Sequence, residues 1–221
     1  MIVSRMTREE VMNQLDKIAS QITERVFAKA KYLLKRPLRK LPQKLRSKYM
    51  IDGHQTIAFY YPHQRLWSAW IKFRVDATVA GRIWKDYPMY ASVDQMSDGQ
   101  TNTLVFRKHA LDRYNERLHL GLNNCDDILE EISYKDGACI NNFKEVDSTL
   151  RVLVANTVNG VFLGYQDTET GYKEVYTFIT NQMMRKGQRP KRKDVLRQAI
   201  TSSESKLDKK SISDLLAILK K

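Results

Sequence analysis

Glycine, cysteine and long apolar runs are all scarce in this chain of 221 residues, and each shortage excludes a class of function. With nine glycines, it contains no Walker loop, no dinucleotide fingerprint, no Gly-x-Ser-x-Gly elbow and no His-Glu-x-x-His pair. Nucleotide-driven, nicotinamide-dependent and serine-hydrolase chemistry are therefore excluded by motif. Two cysteines, Cys125 and Cys139, are too few for a disulfide framework and point to a reducing setting. Taken with His109 and His119 they are separated by nine, five and thirteen residues, which matches no zinc finger or knuckle. No metal and no cofactor are expected. No apolar run approaches the ~18 residues of a membrane span, and the N-terminal residues lack a signal-peptide core. A soluble, cytoplasmic protein without a membrane partner is the expectation.

Acidic residues are scarce too, at 25 Asp and Glu against 38 Lys and Arg, a formal charge of +13. The excess is not spread evenly. Residues 1–60 carry +8, residues 61–184 carry −3 and residues 185–221 carry +8. Between positions 25 and 48 stand Arg25, Lys29, Lys31, Lys35, Arg36, Arg39, Lys40, Lys44, Arg46 and Lys48, with no acid among them. Near the other end lie Arg189, Lys191, Arg192 and Lys193. Such runs form an electrostatic footprint for the phosphates of RNA or DNA, or for an acidic protein partner or inhibitor. A solvated helix face with charges suited to the helix dipole accounts for part of the first run equally well.

What is present reads as an α+β chain. Thr7-Arg8-Glu9-Glu10 has the form of a capping box, and Val11, Leu15, Ile18, Ile22 and Val26 follow at helical spacing. An amphipathic helix is expected to about residue 35, ended by Pro37 and Pro42. Alternation then takes over: Ile57, Phe59 and Tyr61, a turn at Pro62-His63-Gln64, and Trp67, Ala69, Ile71, Phe73 and Val75 on one face of a hairpin. The other face carries Trp70 beside Lys72 and Arg74, either a stacking platform for a base or a tryptophan covered by another element. Two helices are expected next, at about 108–118 and after an Asn124 cap, the second with a stripe of Ile128, Leu129 and Ile132. An antiparallel meander follows over 149–158, 161–166 and 174–180, its first turn made by Asn159-Gly160 and its second by 167–171. Two short helices, near 193–201 and from Ser213 onward, close the chain. The regions expected are a basic helical one at 1–50, an α+β core at 51–184 and a basic linker with helices at 185–221.

Residues 106–118 carry the most chemistry. At 100° per residue, His109, Asp112, Arg113, Glu116 and Arg117 fall in one arc, opposite Ala110, Leu111, Tyr114 and Leu118. An imidazole moves protons near neutral pH, and guanidinium groups hold phosphate and neutralise charge that grows during its reaction. The bland alternative is a surface helix whose His and Arg face water or pair with Asp112 and Glu116.

The pattern His109-Ala110-x-x-Arg113-x-x-x-Arg117 on a helix, then a second helix, then a meander ending in Tyr176-Thr177-Phe178-Ile179-Thr180, resembles the RelE-type superfamily of barnase-, EndoU-, colicin- and RelE-like domains. The similarity covers roughly residues 104–182. The resemblance implies metal-independent RNA cleavage of the toxin type by attack of a 2′-hydroxyl on the adjacent phosphate. His109 would then be general acid or base, Arg113 and Arg117 phosphate clamps, and Thr177 the polar residue of the last strand. Two further readings stand beside it: a non-enzymatic DNA- or RNA-binding protein of a phage or mobile element, and a structural or assembly protein whose terminal helices meet a partner.

Overall fold

A computed structural model describes residues 1–33, 35, 45–61, 66–79, 82–95, 101–135, 140–145 and 149–184. The capping box forms as written: Thr7 N–H donates to Glu10 Oε2 at 2.7 Å, and Glu10 N–H to Thr7 Oγ1 at 3.3 Å. From it runs α1 (Arg8–Leu33), whose stripe of Val11, Leu15, Ile18, Ile22 and Val26 is buried. Each such side chain contributes ~1.5–3 kcal/mol by leaving water.

Five strands follow, β1 (Leu45–Ile51), β2 (His54–Tyr61), β3 (Leu66–Val79), β4 (Arg82–Gln95) and β5 (Thr101–Arg107). Helices α2 (Lys108–Arg117) and α3 (Cys125–Lys135) come next, then β6 (Ile140–Glu145), β7 (Leu150–Asn156), β8 (Gly160–Asp167) and β9 (Lys173–Thr180). All nine strands join one sheet in the order β1-β2-β3-β4-β5-β9-β8-β7-β6. Neighbours pair antiparallel everywhere except at the centre, where β5 and β9 run parallel through two residue pairs, Val105 with Glu174 and Phe106 with Val175.

The β2–β5 half of the sheet is covered on both faces, which is why those strands read as apolar at both parities. The α1 stripe packs on Ala58, Tyr60, Ala69, Ile71, Phe73, Val75 and Val105. On the opposite face Ala110, Leu111 and Tyr114 of α2, with Ile128, Leu129 and Ile132 of α3, cover Ile57, Phe59, Trp70, Phe106, Phe162 and Phe178. The mixed α+β class, mostly β, thus holds. The expected boundary at residue 50 falls inside β1, and α1 shares a core with β2 to β5 rather than standing apart. Pro37, Pro42, the 62–64 turn and both C-terminal helices lie outside the described residues. Among the described residues no helix is long and apolar enough to cross a membrane.

Two irregularities shape the sheet. In β9 the register shifts between Leu163 and Gly164 of β8, placing an extra residue, Tyr176, opposite them, so Val175 and Phe178 both reach the α2 face. In β4 the pairing slips between Val75–Tyr87 and Ala77–Trp84, with Asp86 at φ 52°. Asp is among the few residues that tolerate this left-handed conformation, and Asp86 N–H donates to Asp76 Oδ1 at 3.2 Å.

Candidate functional site

Helix α2 begins where β5 ends, at Arg107, and stops where His119 (φ 52°) and Gly121 (φ 65°) turn left-handed. Asn115 holds the following loop, donating to Leu122 O at 2.8 Å and accepting from Leu122 N–H at 3.0 Å. Burial of Ala110, Leu111 and Tyr114 fixes the rotation of the helix and sends the charged arc outward.

Along that arc Lys108 pairs with Asp112 at 2.8 Å. One turn on, Arg113 Nε donates to His109 Nε2 at 3.4 Å while its Nη1 reaches Glu116 at 2.6 Å. His109 is exposed and Arg113 half-buried. An imidazole, a guanidinium and a carboxylate therefore stand in contact on an open helix face, with the guanidinium in the middle.

Arg117 does something else. Past Val175, β9 has left β5 behind and has a strand only on its β8 side, and Arg117 Nη1 donates to the Phe178 carbonyl there. Half-buried and engaged with backbone, it pins α2 to β9 rather than standing free for phosphate. Thr177 is not brought to the helix arc at all. It pairs with Leu163, whereas Phe178 and its partner Phe162 face α2, so the Thr177 side chain lies on the other side of the sheet. The expected quartet thus divides into His109 with Arg113, a structural Arg117, and a Thr177 across the sheet.

The basic footprint divides likewise. Arg46 and Lys48 project from β1 to carboxylates of α3: Arg46 pairs with Glu130 and Lys48 with Asp126 at 3.1 Å. Lys72 of β3 joins Asp126 from its other side. These two expected phosphate anchors therefore tie an edge strand to a helix. Arg25 reaches the Met50 carbonyl at 3.5 Å and lies 6.0 Å from the Tyr49 ring centre, and Lys35 is exposed. The side chains of Lys29 and Lys31, and all of Arg36, Arg39, Lys40, Lys44, Arg189, Lys191, Arg192 and Lys193, lie outside the described residues.

Partial burial pushes the Asp126 carboxyl up, but hydrogen bonds from Lys72 and Lys48 prevail and hold it below the usual carboxylate range. A carboxyl lowered in the folded state contributes stability that is complete above its unfolded value and fades as pH falls through the folded one. Urea midpoints of Asp126→Asn and the parent are therefore expected to differ at pH 7 and to converge as the pH drops below the carboxylate range. A gap unchanged at low pH would mean the two lysines do not govern this carboxyl.

Trp70 is no stacking platform. It is 2% exposed, packs on Phe106 at 5.0 Å between ring centres, and donates from Nε1 to Ser133 Oγ of α3 at 2.6 Å. The cover that the sequence left open as an alternative is α3. The 167–171 turn is an ordinary Asx-type turn, with Asp167 Oδ1 accepting from the N–H groups of Glu169 and Thr170 at 3.0 and 3.1 Å. Cys125 is a free thiol beside Tyr90, whose phenol is pushed up first by burial and then by its hydrogen bond to that thiol. Among the described residues no group of three His, Cys, Asp or Glu side chains converges as a metal site.

Two clusters were not read from the sequence. Arg107, ion-paired with Glu174, lies 3.9 Å from the Tyr176 ring centre, and Tyr176 meets Tyr165 edge-on at 5.5 Å. Arg107 reaches Glu174 and Tyr176 through the parallel β5–β9 pairing, which leaves no local signal. The second is Arg82-Ile83-Trp84-Lys85 of β4, exposed throughout. Its local signal in the sequence is a pair of cations about two large apolar side chains. No protein-family model matches this chain, and neither does any curated protein or solved structure.

Proposed function

We propose that this chain is an RNA-directed protein carrying a RelE-like domain, and that helix α2 is the surface that meets and cleaves the RNA backbone without a metal. The observation that carries the reading is the contact between the exposed His109 imidazole and the Arg113 guanidinium on an open helix face. Arg113 swings from Glu116 onto a bridging phosphate and neutralises the charge that grows on its oxygens. His109 removes the proton of the neighbouring 2′-hydroxyl, whose oxygen bonds to phosphorus as the bond to the 5′-oxygen breaks; the departing 5′-oxygen takes up a proton from water. Arg117 serves this step only by setting the position of α2 against β9.

A second reading is favoured by the division of the expected quartet. With Arg117 bound to the Phe178 carbonyl and Thr177 across the sheet, the α2 face has the means to hold phosphate and fewer groups to act on it. On that reading the protein binds RNA or DNA without cutting.

One experiment separates the two. The full chain is incubated with a mixed-sequence RNA in excess chelator, and the fragments are resolved. Cleavage is expected, reduced about a hundredfold or more in His109→Ala, as removal of a general acid or base requires, with an unchanged melting temperature because the site is exposed. Equal cutting by His109→Ala sinks the catalytic role. Salt-dependent binding with no cutting by the parent protein establishes the second reading instead.

A further inference from the structure

The β3–β4 hairpin is longer than either neighbour can cover. Pairing of β2 with β3 ends at Ile71, and pairing of β5 with β4 ends at Met89, yet β3 and β4 continue together out to Val79 and Arg82. Beyond Val75 and Tyr87 they form a two-stranded arm about 15 Å long, by strand rise. Its base is fixed. The Asp86 bulge turns the ribbon, Asp76 accepts the Asp86 N–H, and Asp86 Oδ1 accepts from Ser4 Oγ at 2.7 Å.

Both acids of the arm are thus occupied in holding its shape. Its cations are not: among the described residues Arg82 and Lys85 make no ion pair, and both are exposed. Between them stand Ile83, 76% exposed, and Trp84, 49% exposed, the latter touching Tyr87 edge-on at 6.4 Å. Pairing with Thr78 and Ala77 puts Ile83 and Trp84 on opposite faces of the ribbon. A groove of about 500 Å³ at the base carries a further exposed cation, Arg74.

We infer that this arm is a second nucleic-acid contact, in which Trp84 stacks on an unpaired base while Arg82 and Lys85 take the flanking phosphates of single-stranded RNA. Charge decides the occupant. A large apolar side chain flanked by free cations, with the local acids consumed internally, suits a polyanion with exposed ring faces. The inference rests on the RNA-directed reading above, and goes beyond it by assigning a site remote in sequence from α2.

The test uses the full chain and a fluorescein-labelled, unstructured single-stranded RNA of about 12 nucleotides. Trp84→Ala is expected to weaken binding about tenfold or more, and Trp84→Phe much less, since stacking tolerates any ring. Arg82→Ala with Lys85→Ala is expected to flatten the dependence of log affinity on log salt by about 1.4, as two lost phosphate contacts on a single strand require. RNA should quench a tryptophan emission that is absent from Trp84→Phe. Binding by the parent that Trp84→Ala leaves unchanged, or quenching that persists in Trp84→Phe, overturns the arm assignment while RNA binding itself stands. No binding by the parent overturns both. A change in mass by light scattering in Trp84→Ala without RNA, with RNA affinity unaltered, assigns the arm to a protein contact and overturns the proposal.

Discussion

Gly164→Ala is expected to lose about 3 kcal/mol or more of folding stability, the upper end of what overpacking costs. A Cβ at this position would sit 1.8 Å from the Glu174 carbonyl oxygen and 2.8 Å from the Val175 Cα, and backbone cannot step aside as a side chain can. Gly164 pairs with Val175 beside the extra residue of β9, so relief requires β8 and β9 to separate. With about 2–4 °C per kcal/mol in a chain of this size, the melting temperature should fall by roughly 6–12 °C. Circular dichroism on heating measures it. A fall of less than about 2 °C would mean that the bulge relaxes around a methyl group.

The other large effect belongs to Glu174. Its carboxylate and the Arg107 guanidinium form an ion pair whose side chains are 9% and 14% exposed, at the two-pair junction of β5 and β9. Removing one partner leaves the other charge buried, which costs about 3–5 kcal/mol in comparable pairs. Glu174→Ala should therefore lower the urea midpoint markedly. Arg107→Met combined with Glu174→Leu should recover most of the loss, because well-packed apolar residues of similar volume replace buried pairs at little cost. Should the double variant prove no better than the single one, the pair would owe its role to the Tyr176 ring beneath Arg107 rather than to charge.

Elements built from near neighbours were legible in the sequence. The Thr7–Glu10 box and the five-residue stripe of α1, the Asn124 cap and stripe of α3, and the β7–β8 hairpin all encode their structure within a few residues, though that hairpin turns at Val158-Asn159, with Gly160 already in β8, and not at Asn159-Gly160 as expected. Strand β1 was missed for an instructive reason. Its alternation of Leu45, Ser47, Tyr49 and Ile51 with Arg46, Lys48 and Met50 is visible, but the cations were read as one charge run continuing from α1. Only the fold supplies Glu130 and Asp126 opposite them. Trp70 follows the same logic, since α3 covers it from far along the chain. For the candidate site, helical spacing placed His109, Arg113 and Glu116 on one face. It had no means of showing that Arg117 would be claimed by a strand carbonyl, or that a bulge in β9 sets which side Thr177 takes.

The parallel junction has a kinetic meaning as well. Strands β1–β5 and β6–β9 are each chained by antiparallel pairings between sequence neighbours, contacts that close small loops and form early. Among the described residues, only Val105 with Glu174 and Phe106 with Val175 join the two groups within the sheet, across α2, α3 and three strands of intervening chain. Closing so long a loop for two residue pairs is slow unless α2 has already brought β9 alongside, which its packing on Phe162 and Phe178 does. Refolding should accordingly proceed as two local units whose docking sets the rate, with the helix that carries His109 acting as the clasp between them.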